Sequence, residues 1–151
     1  FYLSNVQVKL DKEEKKIVDT FNRLRFLLGN INNIVGLEIP LFSDLLRVAG
    51  TCDCIAEYNG KLSIIDFKTS RKPKKEDWID DYYMQTFAYK LMFEEMTGVE
   101  IQQIVILVAC TESFDVQVFK KPAKDADEWL EKLVKIMKDN PHITSMMHQP
   151  F

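Results

Sequence analysis

The sequence is short of several things. Its 151 residues include three cysteines, Cys52, Cys54 and Cys110, and two histidines. An odd cysteine count leaves one thiol over, which argues against a disulfide framework and for an intracellular, reducing compartment. Cys52 and Cys54 have the wrong spacing for a zinc knuckle, and no histidine precedes His142. No apolar run approaches the roughly 20 residues that span a bilayer, so no membrane helix is expected. There is no internal repeat, low-complexity tract or linker able to divide two domains. Charge of one sign is also lacking: 20 Lys+Arg against 23 Asp+Glu leave a net charge of −3. Nucleic-acid-binding domains are usually basic, so composition alone argues against that class.

What is present is ordinary for a folded domain. Hydrophobic residues make up 46% and charged residues 28%, too apolar for disorder over most of the chain. A chain of this length fits one domain and can bury roughly 70% of its unfolded surface. Ile17, Phe21, Leu24 and Leu28 recur at helical spacing, predicting an amphipathic helix over 12–28 that stops at Gly29. A short strand is expected near Val35–Leu41. Val48–Tyr58 and Lys61–Thr69 are rich in β-formers and flank Asn59-Gly60, the strongest type I′ hairpin signal. A helix is predicted over Trp78–Thr97, ending at Gly98. Ile101–Ala109 reads as a strand buried on both faces, and Val116–Phe119 as an edge strand. Asp125, with Glu128 three residues on, predicts a capping box opening a last helix that buries Trp129, Leu133 and Ile136. The order implies an α/β fold, a central mixed β-sheet flanked by α-helices.

The hairpin places two carboxylates together. With a two-residue turn at Asn59-Gly60, Tyr58 pairs with Lys61 and, counting back, Asp53 faces Asp66. Theirs is a non-hydrogen-bonded pair, the type with Cα atoms about 4.5 Å apart. Two like charges there repel, unless a divalent cation sits between them and takes their oxygens. Lys68 lies two residues beyond Asp66 and so projects to the same face. A bulge in either strand would move the acids apart. Glu38, flanked by apolar residues, is the candidate third acid, with Asp44 its competitor. Gln85 and Tyr89 are four apart on one helix face, in a helix whose aromatics are also explained by packing. The loop after the second acid carries Arg71, Lys72, Lys74 and Lys75, where a phosphodiester would enter.

Asp53, then Asp66-Phe67-Lys68, then Gln85-x-x-x-Tyr89 resembles the PD-(D/E)xK nuclease superfamily in its RecB-like exonuclease branch. The lead-in Gly50-Thr51-Cys52-Asp53 is similar to that branch's form of the first metal motif. From Gly50 to Lys74 the closer likeness is to the mitochondrial genome maintenance exonucleases and their phage relatives. The resemblance implies a restriction-endonuclease-like core. It implies that Asp53, Asp66, the backbone carbonyl of Phe67 and Glu38 bind Mg²⁺ or Mn²⁺, with Lys68 orienting the attacking water. Thr69, Ser70, Arg71, Lys72, Lys74 and Lys75 are then the expected DNA contacts, with Gln85 and Tyr89 supporting the site or touching the DNA backbone.

The implied activity is a metal-dependent exonuclease on single-stranded DNA with a free end, in replication, repair or recombination. The alternatives are an endonuclease of the same superfamily and a non-catalytic nucleic-acid-binding domain on this fold. Some RecB-like relatives hold an iron–sulfur cluster; three cysteines cannot supply its four ligands, so none is expected here. The family also carries a histidine on an upstream helix. With none before His142, residues 1–151 are expected to be one nuclease domain without its N-terminal helical region. His142 and His148 match nothing in the pattern and read as tail residues. Local charge changes how the composition reads: five positive residues lie between Lys68 and Lys75 beside acids that metal would neutralise, partly offset by Glu76, Asp77, Asp80 and Asp81.

Overall fold

The computed structural model describes residues 11–141; His142 and His148 lie outside that range. Helix α1 (Lys12–Leu28) opens on a capping box that the sequence reading did not pick out. The Asp11 carboxylate accepts the Glu14 N–H at 2.8 Å, and the Glu14 carboxylate accepts the Asp11 N–H at 2.9 Å. Each bond satisfies a donor that the first helical turn leaves without a partner. None of its residues is buried. It is tethered to the far edge of the sheet by the Thr20 hydroxyl, which donates to the Phe114 carbonyl, and by Arg23 at 3.6 Å from Asp115.

One five-stranded sheet follows, in the order β1 (Ile31–Ser43), β2 (Val48–Tyr58), β3 (Lys61–Ser70), β4 (Gln103–Cys110), β5 (Val116–Pro122). Neighbours are antiparallel except β3 and β4, which run parallel. A parallel pair needs a crossover, and helix α2 (Asp80–Thr97) supplies it. β1 is longer than the short strand expected and slips register between Asn32 and Gly36. β5 is an edge strand, as predicted, and β1 is the other. β4 is buried on both faces: Ile104, Ile106 and Val108 join the α2-side cluster, Val105 and Leu107 the opposite one.

α2 begins at Asp80, two residues later than predicted, because Glu76–Trp78 closes a 3₁₀ turn first. It ends at Gly98, whose φ of 70° is the left-handed conformation that favours glycine. Helix α3 (Ala126–Asp139) packs its Trp129 on α2, with ring centroids 4.9 Å from Tyr83. Trp129 and Leu133 are buried and Ile136 half-buried. The capping box predicted at Asp125 does not form. A 3₁₀ turn over Ala123–Asp125 leads straight into α3, so Asp125 has helical dihedrals and no capping hydrogen bond. Glu128 pairs with Lys132 one turn on instead. The outcome is the α/β fold expected, a mixed sheet with α2 and α3 layered on one face. Among the described residues no helix is long and apolar enough to cross a membrane.

Candidate active site

The hairpin forms as its turn dictates. Asn59 and Gly60 have φ of 50° and 78°, the left-handed pair that a type I′ turn requires. Pairing then runs in the predicted register from Tyr58–Lys61 to Cys54–Ile65. It stops one rung short of Asp53 and Asp66. Cys52 and Ile55 both face the α2 side of the sheet, whereas Cys54 faces the other side. The alternation of β2 therefore turns over at Asp53. β1 turns over opposite it, at Glu38, whose φ of 48° lies between the rungs Leu37–Cys54 and Ile39–Cys52.

This irregularity lets the Asp53 side chain reach across. Its Oδ2 accepts the backbone N–H of Phe67 at 2.8 Å. Asp66 lies beside it, near enough for the charge of Asp53 to act on its carboxyl. Asp66 is 3% exposed, and its Oδ2 has no hydrogen-bond partner. The Lys68 ammonium stands 3.2 Å from that oxygen, an ion-pair distance without hydrogen-bond alignment. Burial pushes the Asp66 carboxyl up to about 7; Asp53 adds to the rise and Lys68 opposes it. Lys68 Nζ also donates to Gln85 Oε1 at 2.7 Å, and Gln85 Nε2 donates to the Tyr89 hydroxyl at 3.2 Å. Gln85 and Tyr89 are buried, and burial raises the Tyr89 hydroxyl well above its ordinary value.

The structure thus brings Asp53, Asp66, Lys68, Gln85 and Tyr89 together. Glu38 is on the rung of Asp53, but it is exposed. Among the described residues no three His, Cys, Asp or Glu side chains converge as a metal cage. Asp44 lies six residues further along the chain, in the turn after β1, where its N–H donates to Glu95. In the basic segment, Ser70 Oγ donates to the Lys72 carbonyl at 2.7 Å and Arg71 pairs with Glu112 at 2.7 Å. Thr69, Lys72 and Lys75 are exposed, and Lys74 is half-buried. One neighbour was missed by sequence reasoning: Tyr82, whose ring lies 5.2 Å from Lys68 Nζ. The signal was its position three residues before Gln85, on the same helix face.

Two carboxylates with an orphaned buried oxygen, and a lysine held between acid and amide, are a donor set suited to a hard divalent cation. The family comparison agrees. The model of the PD-(D/E)XK nuclease superfamily matches residues 6–151. A stretch of 51 residues is 43% identical to mitochondrial genome maintenance exonuclease 1 of Mus musculus, covering 34% of this chain and 15% of that protein. A stretch of 75 residues is 41% identical to the Xenopus tropicalis protein of that name, covering 50% and 20%. The chain thus spans 15–20% of the length of these relatives. Among solved structures, the crystal structure of SSO0001 aligns over 79% of this chain and 58% of its own, with 17% identity and a TM-score of 0.45. That likeness is too distant to bear on function. With that family model matching residues 6–151, the chain belongs to the PD-(D/E)XK nuclease superfamily.

Proposed function

We propose that the protein is a metal-dependent exonuclease that hydrolyses single-stranded DNA from a free end, serving replication, repair or recombination in a reducing compartment. The observation that carries the reading is the placement of Asp53 on the Phe67 N–H, next to the buried Asp66 and its Lys68 at 3.2 Å. Facing acids destabilise a sheet unless a cation joins them, and a binding module has no need of them. Asp53 and Asp66 would hold Mg²⁺ or Mn²⁺, with Glu38 and the Phe67 carbonyl completing the set. Such a metal lowers the pKa of bound water and neutralises charge developing on the phosphate.

The chain's own residues do the rest. Asp53 is fixed by the Phe67 N–H, so its carboxylate is oriented before metal arrives. Gln85 holds the Lys68 ammonium toward the acids, where it orients the attacking water and meets transition-state charge. Thr69, Ser70, Arg71, Lys72, Lys74 and Lys75 take the phosphates, and Gln85 with Tyr89 backs the site. Preference for single strands and free ends rests on likeness to the mitochondrial genome maintenance exonucleases. The compartment rests on Cys52, Cys54 and Cys110, all free and buried.

Linear and circular single-stranded DNA, each with Mg²⁺ or Mn²⁺, test the reading. Loss of the linear strand alone is expected. Cutting of the circle points to an endonuclease. Absence of turnover on any DNA, with no effect of EDTA, points to a non-catalytic binding domain.

A further inference from the structure

Beyond the acids, the end of β3 opens into a groove of about 520 Å³, bordered by residues 69–74 and Trp78, in which Arg71 is taken up by Glu112 at 2.7 Å. The chain has two tryptophans. Trp129 is 6% exposed in the core, whereas Trp78 is 64% exposed at this groove. The Lys75 ammonium lies 5.0 Å from the Trp78 ring centroid, within cation–π range.

The Trp78 backbone N–H donates to the Lys75 carbonyl at 2.9 Å, closing the 3₁₀ turn that keeps the two residues close. The Gln117 side chain clamps Lys74, accepting its N–H at 2.7 Å and donating to its carbonyl at 2.8 Å. Among the described residues the ammonium groups of Lys72, Lys74 and Lys75 enter no ion pair. Of the nearby acids, Glu76 is engaged by the Tyr83 hydroxyl at 2.9 Å and by Lys121 at 3.4 Å. Asp77 remains exposed. An exposed aromatic face with unpaired cations around it is the chemistry that binds unpaired bases through stacking and their backbone through charge. Duplex DNA hides its base faces and cannot use it.

We propose that Trp78, backed by Lys75, stacks on one base of single-stranded DNA, while Lys72 and Lys74 hold the adjoining phosphates. The proposal rests on the nuclease reading for its substrate and adds a residue outside the superfamily motif.

The test uses the full chain in Mg²⁺ on a Lys68→Ala background, so that strands survive. Binding is compared for oligo(dT) and an abasic strand of equal length. Trp78→Ala should weaken oligo(dT) about tenfold, the value of one stacked base, and leave the abasic strand unchanged. Trp78→Phe should restore most of the loss. In a Trp129→Phe protein the remaining fluorescence, from Trp78, should be quenched by oligo(dT) and not by the abasic strand. Equal loss on both strands, no loss on either, or no binding of single strands overturns the platform. Cleavage is assayed separately with Lys68 intact. Cleavage without the base-dependent loss leaves the nuclease reading and removes the platform; the loss without cleavage does the reverse.

Discussion

The carboxylate of Asp53 accepts the amide of Phe67 at 2.8 Å, so a side chain stands where a backbone carbonyl would continue the ladder. Asp53 therefore has a structural task beside the chemical one proposed for it, and two substitutions separate them. Asp53→Asn and Asp53→Ala both remove the charge beside Asp66. Asn keeps a carbonyl oxygen for the Phe67 N–H, and Ala does not. Asp53→Ala should be about 1–3 kcal/mol less stable than Asp53→Asn, the cost of an unmade hydrogen bond. Thermal melts check the difference. Both should lose cleavage.

Asp66 should make the metal-free protein lose stability as pH rises. Its folded pKa, about 7, stands above its ordinary value of 3.8. Between those values the unfolded chain has released the proton and the folded chain still holds it. The folded state binds more protons, so stability falls from about pH 4 to about pH 7 and is level above. Asp66→Asn should abolish that slope. Mg²⁺ favours the carboxylate, so its apparent affinity should climb up to about tenfold per pH unit below 7 and flatten above. Melts and metal titrations across this range read both effects.

Lys68→Ala should lower cleavage about 10²–10³-fold, the scale of one lost group stabilising transition-state charge. DNA affinity should stay within about twofold. An equal loss of both would sink the role assigned to the lysine. Rates and filter-binding isotherms on the same oligonucleotide decide it.

Gln85 is bonded on one side to Lys68 and on the other to Tyr89. Gln85→Ala frees the ammonium without removing it. The single-turnover rate should fall roughly tenfold, a positioning loss of about 1.4 kcal/mol, with little change in substrate affinity. Unchanged single-turnover rates would show that Lys68 needs no support from α2.

Much of this site was legible because its parts are close in sequence. Asn59-Gly60 determines the hairpin register, and the hairpin register brings Asp53 near Asp66. Helical spacing then puts Gln85 and Tyr89 on one face of α2. What was not legible depends on departures from regular geometry. Nothing in the residues around Glu38 announces a left-handed backbone, so the paired turnover of β1 and β2 was invisible. The box at Asp125 fits the sequence signature, but a preceding 3₁₀ turn removed the extended backbone that an N-cap needs. Nothing in the hydrophobic pattern separates Tyr82 and Trp78 from the packing aromatics of the helix predicted there, because hydrophobicity alone does not distinguish a ring over a lysine from a ring in a core.

The clamp of Gln117 on Lys74 has a consequence for how such a protein can change over generations. The acids are held by β2 and β3, whereas the groove is fastened from β5 and from the turn after β4, through Gln117, Thr111 and Glu112. On the proposed reading, cutting and gripping share β3 but are braced by different strands, β2 and β5. If the proposed roles hold, substitutions along the outer edge would retune which strands are grasped, and how firmly, while the acids and their lysine are inherited intact.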